Sequence, residues 1–383
     1  MIKIKGAGYN PQTALQETYL SNAIIKQLNQ WNVSYETGWA ETGIVATIEG
    51  TKGPGHIVAA RADIDALPIL ENSGVLWGSQ NVGMMHACGH DGHASILLSV
   101  IYALNQNPDF KGSFKAIFQP AEETTEGAKR MIEEGLLEKH KLDFVYALHN
   151  WPALPQDTVA VHEKEAMACS DYITFTINGT GGHCATPHKA VNPIDVSAAL
   201  CGAINNLKTN EINPFVPFTI VPTISVAGGN SAKNIITETG KQTWALRTFD
   251  QTSQNYAEQR MHEIACGLSQ TFRAQIDVDY KRGANAMIND PDQAKLCYKT
   301  ACDVLGEQNV LWNPDPELTA EDFGSFLEKV RGAYFWYGQQ KPEASPSNFN
   351  LHNSQYDFND DIIPGAAEVM ARLVEARLAL DAV

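Results

Sequence analysis

Met85-His86-Ala87-Cys88-Gly89-His90-Asp91-Gly92-His93 gathers three imidazoles, a thiol and a carboxyl just ahead of an apolar run. The run, Ala94 to Leu104, has apolar residues at helical spacing, so the stretch lies at a loop-to-helix junction. Upstream, Ile57-Val58-Ala59-Ala60-Arg61 reads as a short buried strand followed by Asp63 and Asp65. Downstream, Phe114 to Phe118 reads as a second strand, with Glu122 and Glu123 just past its end. Residues 143–148 read as a third, delivering His149. Strands alternating with helical patterns indicate an α/β sheet. Ligands of such sheets bind beyond the carboxyl ends of the strands. Three strands therefore aim candidate ligands at one edge, and Leu351-His352-Asn353 adds an imidazole from a late polar loop.

The chain of 383 residues exceeds one ordinary domain. Around Asp171 its character changes. Asp171 to Ile177 alternates like a half-exposed strand, and a glycine-rich loop and a helix from Pro193 to Leu207 follow. Phe218 to Val226 and Gln242 to Phe249 read as strands, Gln254 to Phe272 as a helix and Ala274 to Tyr280 as a strand. That order, βαββαβ, predicts a ferredoxin-like domain over residues 170–282, inserted in an α/β domain formed by residues 1–169 and 283–383. Gly332 to Tyr337 returns to strand, and Asp360 to Leu380 reads as a closing amphipathic helix.

A net charge of -16 argues against nucleic acid and anionic membranes as partners. Seven cysteines, odd in number and without framework spacing, suit reduced thiols. The N-terminus lacks the apolar core of a signal peptide, and no apolar run is long enough to span a bilayer. The expectation is a cytoplasmic enzyme.

Cys88, His90, Glu123, His149 and His352 are the residue types that bind zinc or manganese, and a two-metal site with shared ligands needs about five. A Cys88 thiolate could bridge two cations. Glu122, directed differently from its neighbour, is left to accept a proton from water. Asp63, Asp65, Asp91 and His93 suit the orientation of ligating imidazoles. Each residue also has a bland reading: His149 as a hydrogen-bonded core histidine, Cys88 as merely buried, the glutamates as favouring a helix N-terminus. Those readings require four coincidences on one sheet edge. A cysteine hydrolase using Cys88 leaves the glutamates and distant histidines without a task. No G-x-S-x-G, H-E-x-x-H, G-x-G-x-x-G or P-loop pattern occurs.

Arg61 to Pro68, Met85 to His93, Gln119 to Glu123, His149 and Gly181-Gly182-His183-Cys184-Ala185-Thr186-Pro187-His188 closely resemble the aminoacylase/carboxypeptidase-like metallo-amidohydrolases. The branch is that of hippurate hydrolases, auxin-conjugate hydrolases and N-acyl-amino-acid deacylases. The resemblance implies a zinc-exopeptidase-like catalytic domain and a βαββαβ lid that dimerises. It implies two divalent ions per subunit, Mn²⁺ or Zn²⁺ with Co²⁺ or Ni²⁺ as further options, held by Cys88, His90, Glu123, His149 and His352, with Glu122 as base. It implies that His183 stabilises the oxyanion in a neighbouring subunit and that Asn234 and Arg247 hold the substrate carboxylate. The expected reaction is hydrolysis of an N-acyl amino acid in a homodimer or higher oligomer. The alternatives are a dipeptidase or carboxypeptidase with the same machinery, or a silent metal-binding homologue. One departure stands out: Gly8 and Gln12 replace the His and Glu of the branch's His-x-x-Pro-Glu element, with Pro11 kept, and Met1 to Ala7 are too few for its full opening helix.

Overall fold

The computed structural model describes residues 9–228 and 232–380, so Gly8 and the shortened opening segment Met1 to Ala7 lie outside the described residues. The chain forms two compact units. The first holds the described residues through Ala166, Met287–Pro316 and those from Glu321 onward.

Its centre is a mixed eight-stranded sheet. In spatial order the strands are Ser34–Trp39, Gly43–Glu49, Ser113–Gln119, Ile57–Asp63, Phe144–Pro155, Arg331–Gln340, Val159–Val161 and Val310–Trp312. The four from Ser113–Gln119 to Arg331–Gln340 run parallel. Every residue of Ser113–Gln119 is buried, which is why these strands read as continuous apolar runs and not as alternating ones. Helices His90–Gln106, Pro291–Leu305 and Ile363–Ala379 pack on the sheet and one another, closing a core that includes Ile96, Val100, Phe118, Tyr146, Phe335, Val369 and Leu373. In register, Asp63 lies beside Gln119, and His149 beside Trp336. Parallel direction and shared register bring the ends of distant segments to one edge.

Three boundaries differ from the sequence reading in an informative way. The helix begins at His90, not Ala94, with left-handed Gly89 (φ 89°) at its N-cap. Its first turn is polar in sequence yet buried, so hydrophobic periodicity becomes visible only afterwards. The third strand runs through to Pro155, placing His149 inside it and not beyond its end. The closing helix starts at Ile363, after a 3₁₀ turn Asp360–Ile362 capped by the Asn359 side chain.

The second unit holds Met167–Ala286 and Glu317–Ala320. Its antiparallel sheet has the order Phe218–Ala227, Thr239–Thr248, Asp171–Asn178, Gln275–Arg282. Along the chain it runs strand–helix–strand–strand–helix–strand, with helices Pro193–Asn206 and Gln251–Phe272. Asn192 and Asp250 cap them through Ile194 N–H and Ser253 N–H. Ile173, Phe175, Val196, Leu200, Trp244 and Met261 form part of the core. The sheet's two edges differ. Phe218–Ala227 exposes Val221, Ile224 and Val226, whereas Gln275–Arg282 exposes Gln275, Asp277, Asp279, Lys281 and Arg282. Among the described residues no helix is long and apolar enough to cross a membrane.

Candidate metal centre

The loop Met85–Gly89 is pinned by reciprocal backbone bonds between Met85 and Leu67 (2.9 and 3.0 Å). Left-handed His352 (φ 65°) donates its N–H to Ala87 O at 2.8 Å. A Cβ on Gly89 would meet Asn150 Oδ1 at 2.6 Å and Tyr356 Oη at 2.7 Å, so only glycine fits between Cys88 and His90. Cys88 and His90 are thereby held on either side of the left-handed Gly89 in the chain.

The sequence candidates of this unit converge there. Cys88 Sγ lies 3.5 Å from His149 Nε2, and His149 Nδ1 bonds Asn150 O at 2.8 Å. His90 Nδ1 meets Asp65 Oδ1 at 3.0 Å, and its Nε2 lies 3.9 Å from both Glu122 Oε2 and Glu123 Oε1. His352 Nε2 is 3.3 Å from Glu123 Oε1. Ligand atoms of Cys88, Glu123 and His352 lie within 4.8 Å of one another, as do those of Asp63, His90, His93 and His149. His93 differs from His90: Asp63 Oδ1 sits 2.5 Å from its Nδ1 and Asn150 Oδ1 2.6 Å from its Nε2, so both ring nitrogens are engaged by protein. Asp65 accepts Glu123 N–H at 2.9 Å with its second oxygen. Asp91 lies in the first helical turn and bears electrostatically on His86.

Among the described residues, His90 Nε2 and Glu123 Oε1 are buried with no hydrogen-bond partner, although buried polar atoms are nearly always satisfied. Glu123 Oε1 is near His352 without hydrogen-bond geometry. Imidazole, carboxylate and thiol pointing at shared space with open lone pairs fit a divalent cation.

Electrostatics agree. Burial, then Glu123, Glu122 and Asp63, push the Cys88 thiol well above its ordinary range. Burial, then Glu321, Glu123 and Asp322, raise Glu122 well above the usual carboxylate range. Burial would also raise Asp63, but His90, His93 and Arg61 hold it well below. Burial and neighbouring His93 push His149 well below the usual imidazole range. Around Cys88 and Glu122 the neighbouring carboxylates thus add a negative potential that a cation relieves.

Sequence reasoning missed what lies behind the carboxylates. Buried Arg61 donates to Gln119 Oε1 (2.8 Å), Asp63 Oδ2 (2.8 Å), both oxygens of Glu321 (3.1 and 3.0 Å) and Asp322 Oδ1 (2.9 Å). Glu122, Glu321 and Asp322 bring carboxylate oxygens within 4.8 Å of one another. The only local signals were an arginine in an apolar strand and an acidic pair before Phe323.

The remaining candidates belong to the second unit. His183 pairs with Ile235 in a short two-stranded ladder and is exposed; its Nδ1 accepts Ala185 N–H at 3.1 Å. Asn234 Nδ2 lies 3.4 Å from His183 Nε2. Arg247 stacks on Tyr172, 5.3 Å from the ring centre, and donates to its hydroxyl at 3.1 Å.

A mixed α/β sheet with such a cluster at its carboxyl edge is the architecture of a metallohydrolase. Residues 59–376 match peptidase family M20/M25/M40, and the chain belongs to that family of amide-bond hydrolases. It is 31% identical over 365 residues to the hippurate hydrolase of Campylobacter jejuni subsp. jejuni serotype O:2, covering 95% of this chain and 92% of that one. It is 32% identical over 359 residues to thermostable carboxypeptidase 2 of Saccharolobus solfataricus, covering 92% and 89%. Among solved structures, a dinuclear metal binding peptidase of the M20 family from Bacillus subtilis superposes with a TM-score of 0.83 at 25% identity, covering 98% of this chain and 96% of that one.

Proposed function

We propose that this protein hydrolyses the amide bond of N-acyl amino acids, with Cys88, His90, Glu123, His149 and His352 holding two divalent cations and Glu122 acting as the base. The observation that carries the reading is the pair of buried, unpartnered atoms His90 Nε2 and Glu123 Oε1, 3.9 Å apart, with Glu123 also within 4.8 Å of the ligand atoms of Cys88 and His352. When bound, Mn²⁺ or Zn²⁺, or Co²⁺ or Ni²⁺ in their place, would lower the pKa of water to about 7 and polarise the amide carbonyl.

The chain's own residues supply the rest. Glu122 takes the proton of the attacking water and delivers it to the leaving amine. Burial, and then the carboxylates crowding Glu122, favour its protonated form, which suits it to donate in the second step. Asp65 and Asp63 hold His90 and His93 in their rotamers, and Asn150 N–H donates to His93 Nε2. Asp91 belongs to the same turn. With His183 Nδ1 accepting from Ala185 N–H, Nε2 is the ring nitrogen left to serve a developing oxyanion once it is released from Asn234 Nδ2. In this reading the second unit is a lid and dimerisation domain that offers His183 to a neighbouring subunit, while Asn234 and Arg247 hold the substrate carboxylate. The similarity to a hippurate hydrolase favours an N-acyl amino acid as substrate; that to a carboxypeptidase favours a peptide with a free carboxylate. Both present an amide beside a carboxylate.

Amine release from a panel of N-acyl amino acids and dipeptides, before and after EDTA treatment and metal restoration, tests the reading. Chelation should abolish turnover and Mn²⁺, Zn²⁺ or Co²⁺ should restore it. Full activity in demonstrably metal-free protein contradicts the proposal.

A further inference from the structure

Glu122 and Glu123 are adjacent yet must face different tasks, so the backbone that carries them has to turn sharply and stay turned. Ala121, immediately before them, is in the left-handed region (φ 56°), unfavourable for a residue with a Cβ, and is fully buried. Its carbonyl accepts Gly127 N–H at 3.1 Å and Glu126 N–H at 3.3 Å, closing the turn from the far side. Its N–H points the other way, to Glu17 Oε1 at 3.0 Å. Glu17 lies 104 residues earlier, at the start of the Thr18–Gln30 helix, and is 1% exposed. The same oxygen accepts Leu15 N–H at 2.9 Å, and Oε2 accepts the Thr42 hydroxyl at 2.6 Å. Beyond the pair, Asp65 Oδ2 accepts Glu123 N–H at 2.9 Å. The two glutamates are thus strung between two buried carboxylates, one gripping the residue before them and one the second glutamate's own backbone.

Asp65 already has a task through His90, but nothing in the catalytic reading uses Glu17. We propose that Glu17 is a positioning residue for the reaction: by holding the left-handed Ala121 peptide it aims the Glu122 carboxylate at the water to be activated, without itself touching substrate or metal. This rests on Glu122 being the base. Burying a carboxylate here without function is costly, and an apolar side chain could fill the same space between helix and sheet. The contacts of Glu17 are to backbone N–H groups and one hydroxyl, so it recognises a backbone shape rather than another charge.

Glu17→Met keeps the volume and removes the acceptors, while Glu17→Gln keeps one acceptor oxygen for the two N–H groups and offers an N–H to Thr42 Oγ1. A catalytic group misplaced by about 1 Å loses on the order of 10²-fold in rate. Glu17→Met should therefore lower kcat by about 10–100-fold, with KM, metal per chain and the visible spectrum of Co²⁺-substituted protein unchanged; Glu17→Gln should recover most of the rate. In a Glu122→Gln background, Glu17→Met should cause no further loss, because the two act in series. If Glu122→Gln alone keeps the wild-type rate, the assignment of the base fails, whatever Glu17 does. The positioning proposal is overturned if kcat per metal-loaded Glu17→Met chain stays within about twofold of wild type. It is equally overturned if rate falls only in step with lost metal, or if Glu17→Met slows the Glu122→Gln protein by the same factor as wild type. Should Glu17→Met not fold, Thr42→Val releases Oε2 alone and is expected to lower kcat several-fold at full metal content. No change in that variant also overturns the proposal.

Discussion

Replacing Asp65 by asparagine isolates the link between second-layer hydrogen bonding and metal retention. Asp65 is 1% exposed and uses one oxygen for His90 Nδ1 (3.0 Å) and the other for Glu123 N–H (2.9 Å). An asparagine side chain has one acceptor oxygen, so one of these N–H groups must confront an NH₂. Losing a hydrogen bond to a charged group costs about 1.5–3 kcal/mol. If that loss falls on the metal-loaded state, it corresponds to about 10–100-fold in affinity, the range found when groups orienting metal ligands are removed. Either orientation of the amide leads to the same place: a freed His90 ring turns, or a freed Glu123 backbone shifts. Competition against a chromophoric chelator at fixed pH measures the affinity, with near-UV circular dichroism reporting that the fold is kept. Wild-type affinity in a natively folded Asp65→Asn protein would refute the argument that these bonds preorganise the centre.

Glu122→Gln should retain metal while turnover falls by about 10²–10⁴, whereas Glu123→Gln should lose metal in dialysis; metal analysis beside initial rates separates the two. His183→Ala should lower turnover by about 10²–10³ with metal content unchanged, and mixing it with Glu122→Gln under conditions of subunit exchange should regenerate activity. Exchange without recovery counts against a role in the neighbouring subunit. Asp290 caps the Pro291–Leu305 helix and pairs with Arg331. Burial pushes its carboxyl up, but Arg331 and the N–H groups of Gln293 and Asp292 outweigh that and hold it below the usual range. Its contribution is therefore complete above an unfolded value of about 3.9 and is lost as pH falls through the lowered folded value. Asp290→Asn should flatten the acid limb of a urea-midpoint profile below about pH 4, and an unaltered limb would count against it.

What could be read from the sequence was whatever has a local period or an unusual local density of ligand types. The strand at Ile57, the cluster at Cys88 and the pair Glu122-Glu123 announce themselves that way. His149 was found through its strand, although it lies within the strand rather than after it. The helix start at His90 is hidden because the side chains of its first turn, His90 on Asp65 and His93 on Asp63, are buried through hydrogen bonds and carry no apolar period. Arg61 meeting Glu321 across 260 positions, and Glu17 meeting Ala121 across 104, have no spacing rule at all. Long-range polar complementarity is set by topology, and a single sequence carries no periodic trace of it.

The unequal edges of the second unit's sheet set a limit on growth. A copy that pairs through Phe218–Ala227 about a two-fold axis consumes the same edge on both partners. What then faces outward at either end is Gln275–Arg282, studded with Asp277, Asp279, Lys281 and Arg282, a poor template for a further strand. Association by this route therefore terminates itself. Replacing all four with uncharged residues would weaken that stop and leave the outer edges open to further strands.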